Sequence, residues 1–341
     1  MIQRYNVEEI TNIWSEETKV KNWLFIELAH IESLHRTFDI CKDDYLNIAN
    51  SLTVGKVIKN IDRWKEIESE TKHDLQAFVQ MLEELVPNNS GRWLHFGLTS
   101  SDILDTSTSL NCIHTLNVVR NDLAETIVCL NKILKSEASN TQIVGRTHGV
   151  AAEVQTVGDI IERWLAHARR AYDSLTDAKS KVNVGKLSGA VGNSKFLDKK
   201  NEQIALECLC LKPVLGSQII PRDIYLDYFY ALLKATLFFE KVAFDIRMYS
   251  QEFIEEMSEP FSYGQKGSSA MPHKKNPVLC ENICGLARLY KSYMQTSIDN
   301  CLTLFERDIS HSSNERIIFE DSAHIVSFGL TWTLLIVTNI L

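Results

Sequence analysis

The distribution of proline constrains the fold of this chain more than any other feature of its sequence. Proline is absent from residues 88–212, and the whole chain of 341 residues contains only six. A proline inside an α-helix costs about 3 kcal/mol, because it removes a backbone hydrogen bond and clashes with the preceding turn. Long proline-free stretches are therefore typical of chains that build long helices.

The longest helix is predicted between two prolines, over residues 221–257. Pro221 suits the first helical turn, and Pro260 follows the predicted end. About 37 helical residues would extend over about 55 Å, and a helix of that length is typical of a bundle that packs against other subunits. Apolar residues recur along this segment at three-, four- and seven-residue steps, at Leu226, Phe229, Leu233, Leu237, Phe244 and Met248.

The rest of the chain is predicted to be mainly helical as well. Helices are expected over residues 7–38, 72–85, 101–137 and 154–182. No series of alternating apolar and polar residues predicts an extended sheet, although the sequence of residues 182–191 is compatible with short strands. The predicted fold class is all-α, a bundle of long helices.

The overall charge argues against one class of function. The formal net charge is −8 at pH 7, so a protein that binds nucleic acid through a broad basic surface is disfavoured. The same charge is compatible with a local cationic pocket for a small phosphorylated anion. The length of the chain allows two or three domains.

The eight cysteines include no paired Cys-x-x-Cys spacing of the kind that binds zinc. Cys280 and Cys284 lie one helical turn apart near His273, so a metal site stays open beside the favoured interpretation as small buried side chains. The N-terminus lacks an apolar signal segment, and polar residues interrupt the apolar segment 326–341, which is shorter than the ~20 residues that span a bilayer. We therefore expect a cytoplasmic protein without a membrane anchor.

The segment 264–277 carries the densest group of chemically useful residues. Ser268 and Ser269 follow a glycine, and Lys274 and Asn276 follow them closely. This composition suits a loop that closes over an anionic substrate, because cationic and dipolar neighbours stabilise the alkoxide of a serine base. The alternative is an ordinary Gly/Ser turn before a helix, which would be favoured for Gly-Ser-Ser alone.

The full string Gly-Ser-Ser-Ala-Met-Pro-His-Lys-Lys-Asn-Pro at 267–277 resembles the signature loop of the fumarase/aspartase superfamily. Its continuation through residues 281–288 is most similar to the adenylosuccinate lyase family. The resemblance implies a smaller helical N-terminal domain over residues 1–110 and a long-helix bundle over 111–341. It also implies a third, C-terminal domain, which is expected to be absent from this chain.

The resemblance further implies a lyase that cleaves a C–N bond by eliminating fumarate. Ser268 would be the general base, and His148, in Gly-Arg-Thr-His-Gly at 145–149, the general acid. His73 would orient the substrate or His148. The family needs no metal or organic cofactor, acts on phosphorylated purines and forms homotetramers with shared active sites. The positions that match substrate-binding residues of the family are Arg4, Tyr5, Lys72, Asp74, Thr99, Ser100, Gln218, Ser269, Lys274, Asn276, Arg307, Ser312 and Arg316.

Each of these motifs also has a purely structural interpretation. Residues 99–102 suit the N-cap of a helix, although a helix N-terminus also binds phosphate or carboxylate. Residues 71–78 read as a solvated helix start, and residues 4–5 lie at a terminus that frays easily. The charges of residues 306–316 could form local ion pairs, whereas two guanidinium groups with a hydroxyl suit a phosphate or carboxylate.

Two alternative functions are weighed against this one. The first is another lyase of the superfamily, such as one acting on argininosuccinate, against which His273 and the segment around His148 argue. The second is a helical scaffold without catalytic activity. The presence of Ser268, Lys274, Asn276 and His148 together argues against a scaffold, and the expected loss of the third domain keeps it open.

Overall fold

The structure, a computed structural model, describes residues 1–38, 40–261, 264–265, 271 and 274–339. The predicted site residues Ser268 and Ser269, together with His273, lie outside the described residues. The described helices are α1 (Glu8–Trp14), α2 (Glu16–Thr37), α3 (Lys42–Ser51), α4 (Val54–Ile58), α5 (Ile61–Thr71), α6 (Asp74–Leu85), α7 (Ser100–Leu134), α8 (Val157–Lys181), α9 (Lys199–Cys208), α10 (Arg222–Tyr249), α11 (Val278–Asp299) and α12 (Ser310–Thr338). The described strands are β1 (Gln142–Thr147), β2 (Val150–Thr156), β3 (Val184–Gly185) and β4 (Lys212–Pro213).

Five long helices, α7, α8, α10, α11 and α12, form the central bundle. Their facing sides bury large apolar side chains such as Phe238 and Phe239 of α10 and Tyr290 of α11. Burying each such side chain contributes about 2–3 kcal/mol. Gly329 lets α12 approach α10 closely, because a Cβ atom there would lie 2.7 Å from the Phe239 ring. The predicted all-α bundle is confirmed.

A second hydrophobic core lies among the N-terminal helices. Trp23, Trp64 and Phe78 meet edge to face, with ring centroids between 5.3 and 6.5 Å apart. Helix α7 joins the two cores, because its Ile103 belongs to the N-terminal core and its Cys112 to the core of the bundle. Helix α9 also packs against α2 in the N-terminal core. The division into domains at residue 110 stays a prediction.

Two predicted helices differ most from the observed ones, those over residues 221–257 and 7–38. Helix α10 has 28 residues, spans about 42 Å and ends before Ser250, so the prediction through residue 257 was too long. The backbone beyond it turns through positive φ angles at Phe253 and Glu255, which no helix accommodates. The helix predicted over residues 7–38 is broken at Ser15, where the extended backbone lets the Ser15 side chain accept a hydrogen bond from the Thr18 N–H and cap α2.

The antiparallel hairpin of β1 and β2 was not predicted. Its register pairs Gln142 with Thr156 and Thr147 with Val150. Most of its residues are exposed, so the pattern of apolar and polar residues gave no signal for a half-buried strand. Helix α8 consequently begins at Val157 rather than at residue 154, behind a capping box between Thr156 and Asp159. Strand β3 lies at one end of the predicted strand region 182–191 and pairs in parallel with β4, which lies outside it.

Among the described helices, α12 is the one that is long and apolar enough to cross a membrane. In this fold 61% of its most apolar stretch is buried against other helices. A core helix of a bundle meets the same criteria of length and composition, so α12 is weak support for a membrane span.

Candidate functional site

The N-terminal ends of α6 and α7 meet at two predicted site residues, His73 and Ser100. His73 caps α6, since its Nδ1 accepts a hydrogen bond from the Gln76 N–H at 3.3 Å. A ring nitrogen that accepts from a backbone N–H carries no proton, so the neutral His73 is protonated at Nε2. That Nε2 atom lies 3.4 Å from Ser100 Oγ. Half of the His73 side chain is exposed, at 51%, and the pair is therefore accessible to a ligand.

The neighbouring predicted residues are held by the same helix ends. Thr99 forms a capping box with Asp102, whose carboxylate accepts the Thr99 N–H at 2.9 Å. Lys72 ends α5 in the left-handed conformation, with φ of 55°. Asp74 occupies the first turn of α6, and its Oδ2 lies 3.6 Å from Lys19 Nζ. The interpretation of residues 99–102 as an N-cap is thus correct, and the hydroxyl of Ser100 still lies beside the imidazole of His73.

Gln218 and Arg307 are directly hydrogen bonded, although they are 89 residues apart in sequence. Arg307 Nη1 donates to Gln218 Oε1 at 2.8 Å, and Gln218 Nε2 donates to the Ala190 carbonyl oxygen at 2.9 Å. The amide of Gln218 is therefore fixed in orientation by two partners. The contact places two predicted substrate-binding residues from separate segments of the chain next to each other.

A cavity of about 250 Å³ is bordered by residues from the starts of α6 and α7 and by residues from the segment of Arg307. Arg307, Ser312 and Arg316 border it on one side, and Asp74 borders it from α6. Two guanidinium groups with a hydroxyl can bind a phosphate or carboxylate by charge-assisted hydrogen bonds. The cavity is therefore a candidate anion-binding site, which the carboxylates of Asp74 and Glu320 also border.

A buried ion-pair network in the wall of this cavity was not predicted from the sequence. Arg222 makes two hydrogen bonds with Asp105, at 2.7 and 3.0 Å, and two with Glu315, at 3.1 and 3.0 Å. Burial raises the pKa of Glu315, although the charge of Arg222 opposes that rise. The one signal in the sequence is the three-residue spacing of Asp102 and Asp105 at a predicted helix start, a spacing that N-caps also show.

His311 lies beside this network in the wall of the cavity. Its side chain is buried, with an exposed fraction of 3% for the residue. Burial, together with the positive charge of Arg222, lowers the pKa of His311 to about 4. The imidazole is consequently neutral at physiological pH, and it adds no positive charge to that of Arg307 and Arg316 in the cavity.

The predicted general acid, His148, lies at the exposed tip of the β1–β2 hairpin. His148 and Gly149 form a two-residue turn with φ angles of 56° and 77°, as a type I′ turn requires. The hairpin is held to the bundle by Arg146, whose guanidinium group binds the carboxylate of Glu256 at 2.6 Å. The His148 side chain is thus exposed at the end of a short hairpin, which the ion pair of Arg146 with Glu256 holds to the bundle.

Lys274 and Asn276 lie just before α11. Glu259 caps this helix by accepting the N–H groups of Leu279 and Cys280 at 3.1 and 3.0 Å. Asn276 borders a cavity of about 230 Å³ together with Ser250, the residue that follows α10. Lys274 and Asn276 therefore belong to the same end of the bundle as the hairpin.

Arg4 and Tyr5 border a further cavity of about 200 Å³. Its other walls are two residues of α11, Leu279 and Asn282, and two aromatic rings of α12. Within one chain, these two predicted substrate-binding residues do not line the cavity of Arg307 and Ser312.

The predicted site residues thus fall at opposite ends of the bundle. Arg222 begins α10 beside Asp105, at the end that carries Ser100 and Arg307. Glu256, the partner of the hairpin, hydrogen bonds to Tyr249 at the last turn of α10. The length of α10, about 40 Å, separates the two ends. One small substrate molecule cannot contact both ends of the same chain.

The cysteine pair that left a metal site open lies inside the bundle. Cys280 and Cys284 are both buried, and burial raises the pKa of the Cys280 thiol. No group of three or more His, Cys, Asp or Glu side chains among the described residues is arranged to hold a metal ion.

Comparisons with known proteins bear on the family. A family profile described as Lyase matches residues 40–289. The chain is 36% identical over 340 residues to the adenylosuccinate lyase of Thermotoga maritima, an alignment that covers 99% of this chain and 77% of that protein. It is 37% identical over 341 residues to the adenylosuccinate lyase of Bacillus subtilis, covering 100% of this chain and 78% of the relative.

Solved structures support the same fold. A fumarate lyase from Mesorhizobium sp. BNC1 superposes with a TM-score of 0.87 at 20% identity, covering 98% of this chain and 76% of that one. At that level of identity the likeness concerns the fold alone. The sequence matches assign the family, because they reach 36–37% identity over nearly the whole chain. The chain therefore belongs to the adenylosuccinate lyase family of C–N lyases.

Proposed function

We propose that the enzyme eliminates fumarate from adenylosuccinate, leaving AMP, and from the succinyl-carboxamide ribotide of purine biosynthesis. Both substrates are phosphorylated purines or purine precursors that carry a succinyl group on nitrogen. The observation that carries this proposal is the cavity that joins Arg307, Ser312 and Arg316, because it offers cationic and hydroxyl groups to an anionic substrate. The hydrogen bond between Arg307 and Gln218 supports a preorganised wall for that substrate.

The proposed reaction needs one base and one acid. Ser268 removes a proton from the succinyl carbon next to a carboxylate, and the electron pair is delocalised into that carboxylate. The C–N bond then breaks, the carbon–carbon double bond of fumarate forms, and His148 donates a proton to the leaving nitrogen. Lys274 and Asn276 stabilise the charge of the intermediate. Because the substrate carboxylate holds this charge, the residues named here suffice for the elimination.

His73 has an orienting part in this proposal. Its protonated Nε2 lies 3.4 Å from Ser100 Oγ. A substrate oxygen that replaces the serine hydroxyl would receive the same hydrogen bond. Thr99 and Ser100, at the start of α7, then add hydroxyl groups and the positive end of the helix dipole.

We also propose that the active enzyme is a homotetramer with shared active sites. The support is the separation of about 40 Å between the end with Ser100 and Arg307 and the end with His148 and Lys274. Neighbouring chains that pack side by side in opposite directions would bring one end of each against the other end of its partner. A monomer would then lack a complete site.

A reducing cytoplasm is the compartment that we propose. All eight cysteines lie among the described residues as free thiols, and Cys41, Cys208, Cys210 and Cys301 are exposed. Exposed thiols stay reduced where glutathione and thioredoxin systems operate.

The first experiment measures fumarate release from adenylosuccinate by the wild type and by Ser268→Ala, with argininosuccinate as the control substrate. We expect release from adenylosuccinate only, and its loss in the variant. Release from argininosuccinate, or an absence of release by a properly assembled wild-type protein, would contradict the proposed substrate.

A second experiment tests the shared site. The inactive variants His148→Gln and Arg307→Leu are unfolded together, mixed in equal amounts and refolded. If each site takes His148 from one chain and Arg307 from another, about a quarter of the sites should be intact and activity should return. Activity that never returns, in mixed oligomers confirmed by mass, would show that both residues act from one chain.

A further inference from the structure

The N-terminal segment, residues 1–7, crosses α12 at a buried histidine. The Val7 N–H donates a hydrogen bond to His324 Nδ1 at 3.0 Å, and His324 has no exposed surface. A backbone N–H only donates, so Nδ1 is unprotonated and the neutral ring carries its proton on Nε2. His324 therefore serves this segment as an acceptor placed inside the fold.

This bond is one of few polar connections between the segment and the bundle. The backbone hydrogen bonds of Tyr5 and Asn6 stay within the segment, at 3.0 and 3.3 Å. Outside it, the Met1 nitrogen lies 2.8 Å from a carboxylate oxygen of Asp321 on α12. Among the described residues, His324 is thus the acceptor on the bundle for the end of the segment nearest to α1, where the Val7 carbonyl oxygen also accepts the Thr11 N–H at 2.9 Å.

The segment carries Arg4 and Tyr5 across the same face of α12. The Tyr5 ring meets the Phe328 ring edge to face at 5.2 Å, one helical turn beyond His324. Arg4 and Tyr5 border the cavity of about 200 Å³, and Asn282 is also part of its polar wall. A guanidinium group, a phenol and an amide next to apolar walls suit a phosphate monoester on an organic body.

We propose that His324 is a positioning residue for phosphate recognition: its Nδ1 holds the backbone at Val7 and thereby holds Arg4 and Tyr5 over this cavity. The inference rests on the proposed function, in which the substrate carries a phosphate, and assigns to this chain a residue that touches no substrate. Without the bond, the segment leaves its bound position for part of the time. The apparent affinity for the phosphate then falls in proportion to the fraction that stays in place.

Substitutions of His324 by asparagine and by glutamine distinguish the roles of its two ring nitrogens. His324→Asn keeps an amide oxygen near the position of Nδ1 and can still accept the Val7 N–H. His324→Gln reaches toward the position of Nε2 and leaves that N–H without its acceptor. We expect inhibition by AMP to weaken about tenfold in the glutamine variant and to stay near the wild-type value in the asparagine variant. Inhibition by adenosine, which lacks the phosphate, and kcat should change little in either.

A second variant removes the donor and leaves α12 untouched. Val7→Pro deletes the N–H group. The extended backbone of Asn6, with φ of −75° and ψ of 133°, is compatible with a following proline, whereas the φ of Val7 must shift from −114° to about −65°. It should weaken inhibition by AMP as the glutamine variant does. If the glutamine and asparagine variants lose AMP affinity equally, or if Val7→Pro has no effect, the positioning role is wrong.

Two further measurements separate this inference from the proposed function. Arg4→Ala should weaken inhibition by AMP, and no loss there would contradict the phosphate role of Arg4 rather than the anchor. Amide hydrogen exchange of residues 2–7 tests the anchor itself, and it should be faster in His324→Gln than in His324→Asn. Equal exchange in both would overturn the inference whatever the activity of the enzyme.

Discussion

Lys186 Nζ lies 2.5 Å from Asp102 Oδ1, and both side chains are completely buried. The same carboxylate accepts the N–H groups of Thr99 at 2.9 Å and Gly189 at 3.0 Å. A single ion pair therefore fixes the start of α7 to the segment that leads to Ala190, whose carbonyl oxygen orients Gln218. Several proposed substrate contacts depend on it.

Replacing Lys186 by methionine should cost about 3–5 kcal/mol of unfolding free energy, because Asp102 would be left buried and unpaired. Urea denaturation of the wild type and the variant measures this loss. Lys181→Met is the matched control, since the ion pair of Lys181 with Asp227 is exposed and is worth less than about 1 kcal/mol. Equal losses in the two variants would contradict the special role of the buried pair.

Two glycines should respond to alanine in opposite directions. At Gly192, φ is 75° and a Cβ atom would lie 2.3 Å from the carbonyl oxygen of Gly216. We expect Gly192→Ala to destabilise the protein by about 2 kcal/mol or more and to raise KM, because the neighbouring Gln218 must move. At the exposed Gly285 of α11 a Cβ meets nothing within 4 Å, so alanine should stabilise by about 0.5–1 kcal/mol. Thermal unfolding and steady-state kinetics of both variants check the pair.

The buried His311 should make the protein sensitive to mild acid. Its folded pKa of about 4 lies below the unfolded value of about 6.5. The unfolded state therefore binds the proton first, and stability falls as the pH drops from about 6.5 to 4. In His311→Gln the loss between pH 7 and pH 4.5 should be smaller by about 2 kcal/mol. Urea titrations at several pH values measure the slope, and an unchanged slope would exclude His311 as its source.

Asp122 should make the stability depend on pH in the opposite direction to His311. Burial raises its pKa to about 6, although a hydrogen bond from Ser327 opposes the shift. The folded state therefore keeps the proton longer than the unfolded state, and stability falls as the pH rises from about 4 through 6. Asp122→Asn should stabilise the protein by about 1–2 kcal/mol at pH 7.5 and have little effect at pH 4. Equal stabilisation at both values would indicate a general charge effect instead.

Local sequence patterns predicted most of the helices and failed where a local competitor was overlooked. The side chain of Ser15 ends one helix and caps the next, and Thr156 with Asp159 delays the start of α8. The exposed hairpin that carries His148 has no apolar stripe, so hydrophobic periodicity could not reveal it.

The motifs named the candidate site residues one by one, but they did not indicate at which end of the bundle each residue lies. The motifs named His73, Ser100, Gln218 and Arg307, and the fold joins them in two hydrogen-bonded pairs. The ion pairs of Arg222 were missed, because its partners Asp105 and Glu315 lie 117 and 93 residues away in sequence.

The sequence alone determined the all-α class, the family resemblance and the chemical types of the site residues. These properties depend on interactions within one or two helical turns and on motifs that are contiguous in the chain. Only the tertiary structure decided which end of the bundle each motif occupies, and which buried charges are paired. Helices of about 40–50 Å carry neighbouring motifs far apart, and the packing of all their side chains together selects the partner of each charge.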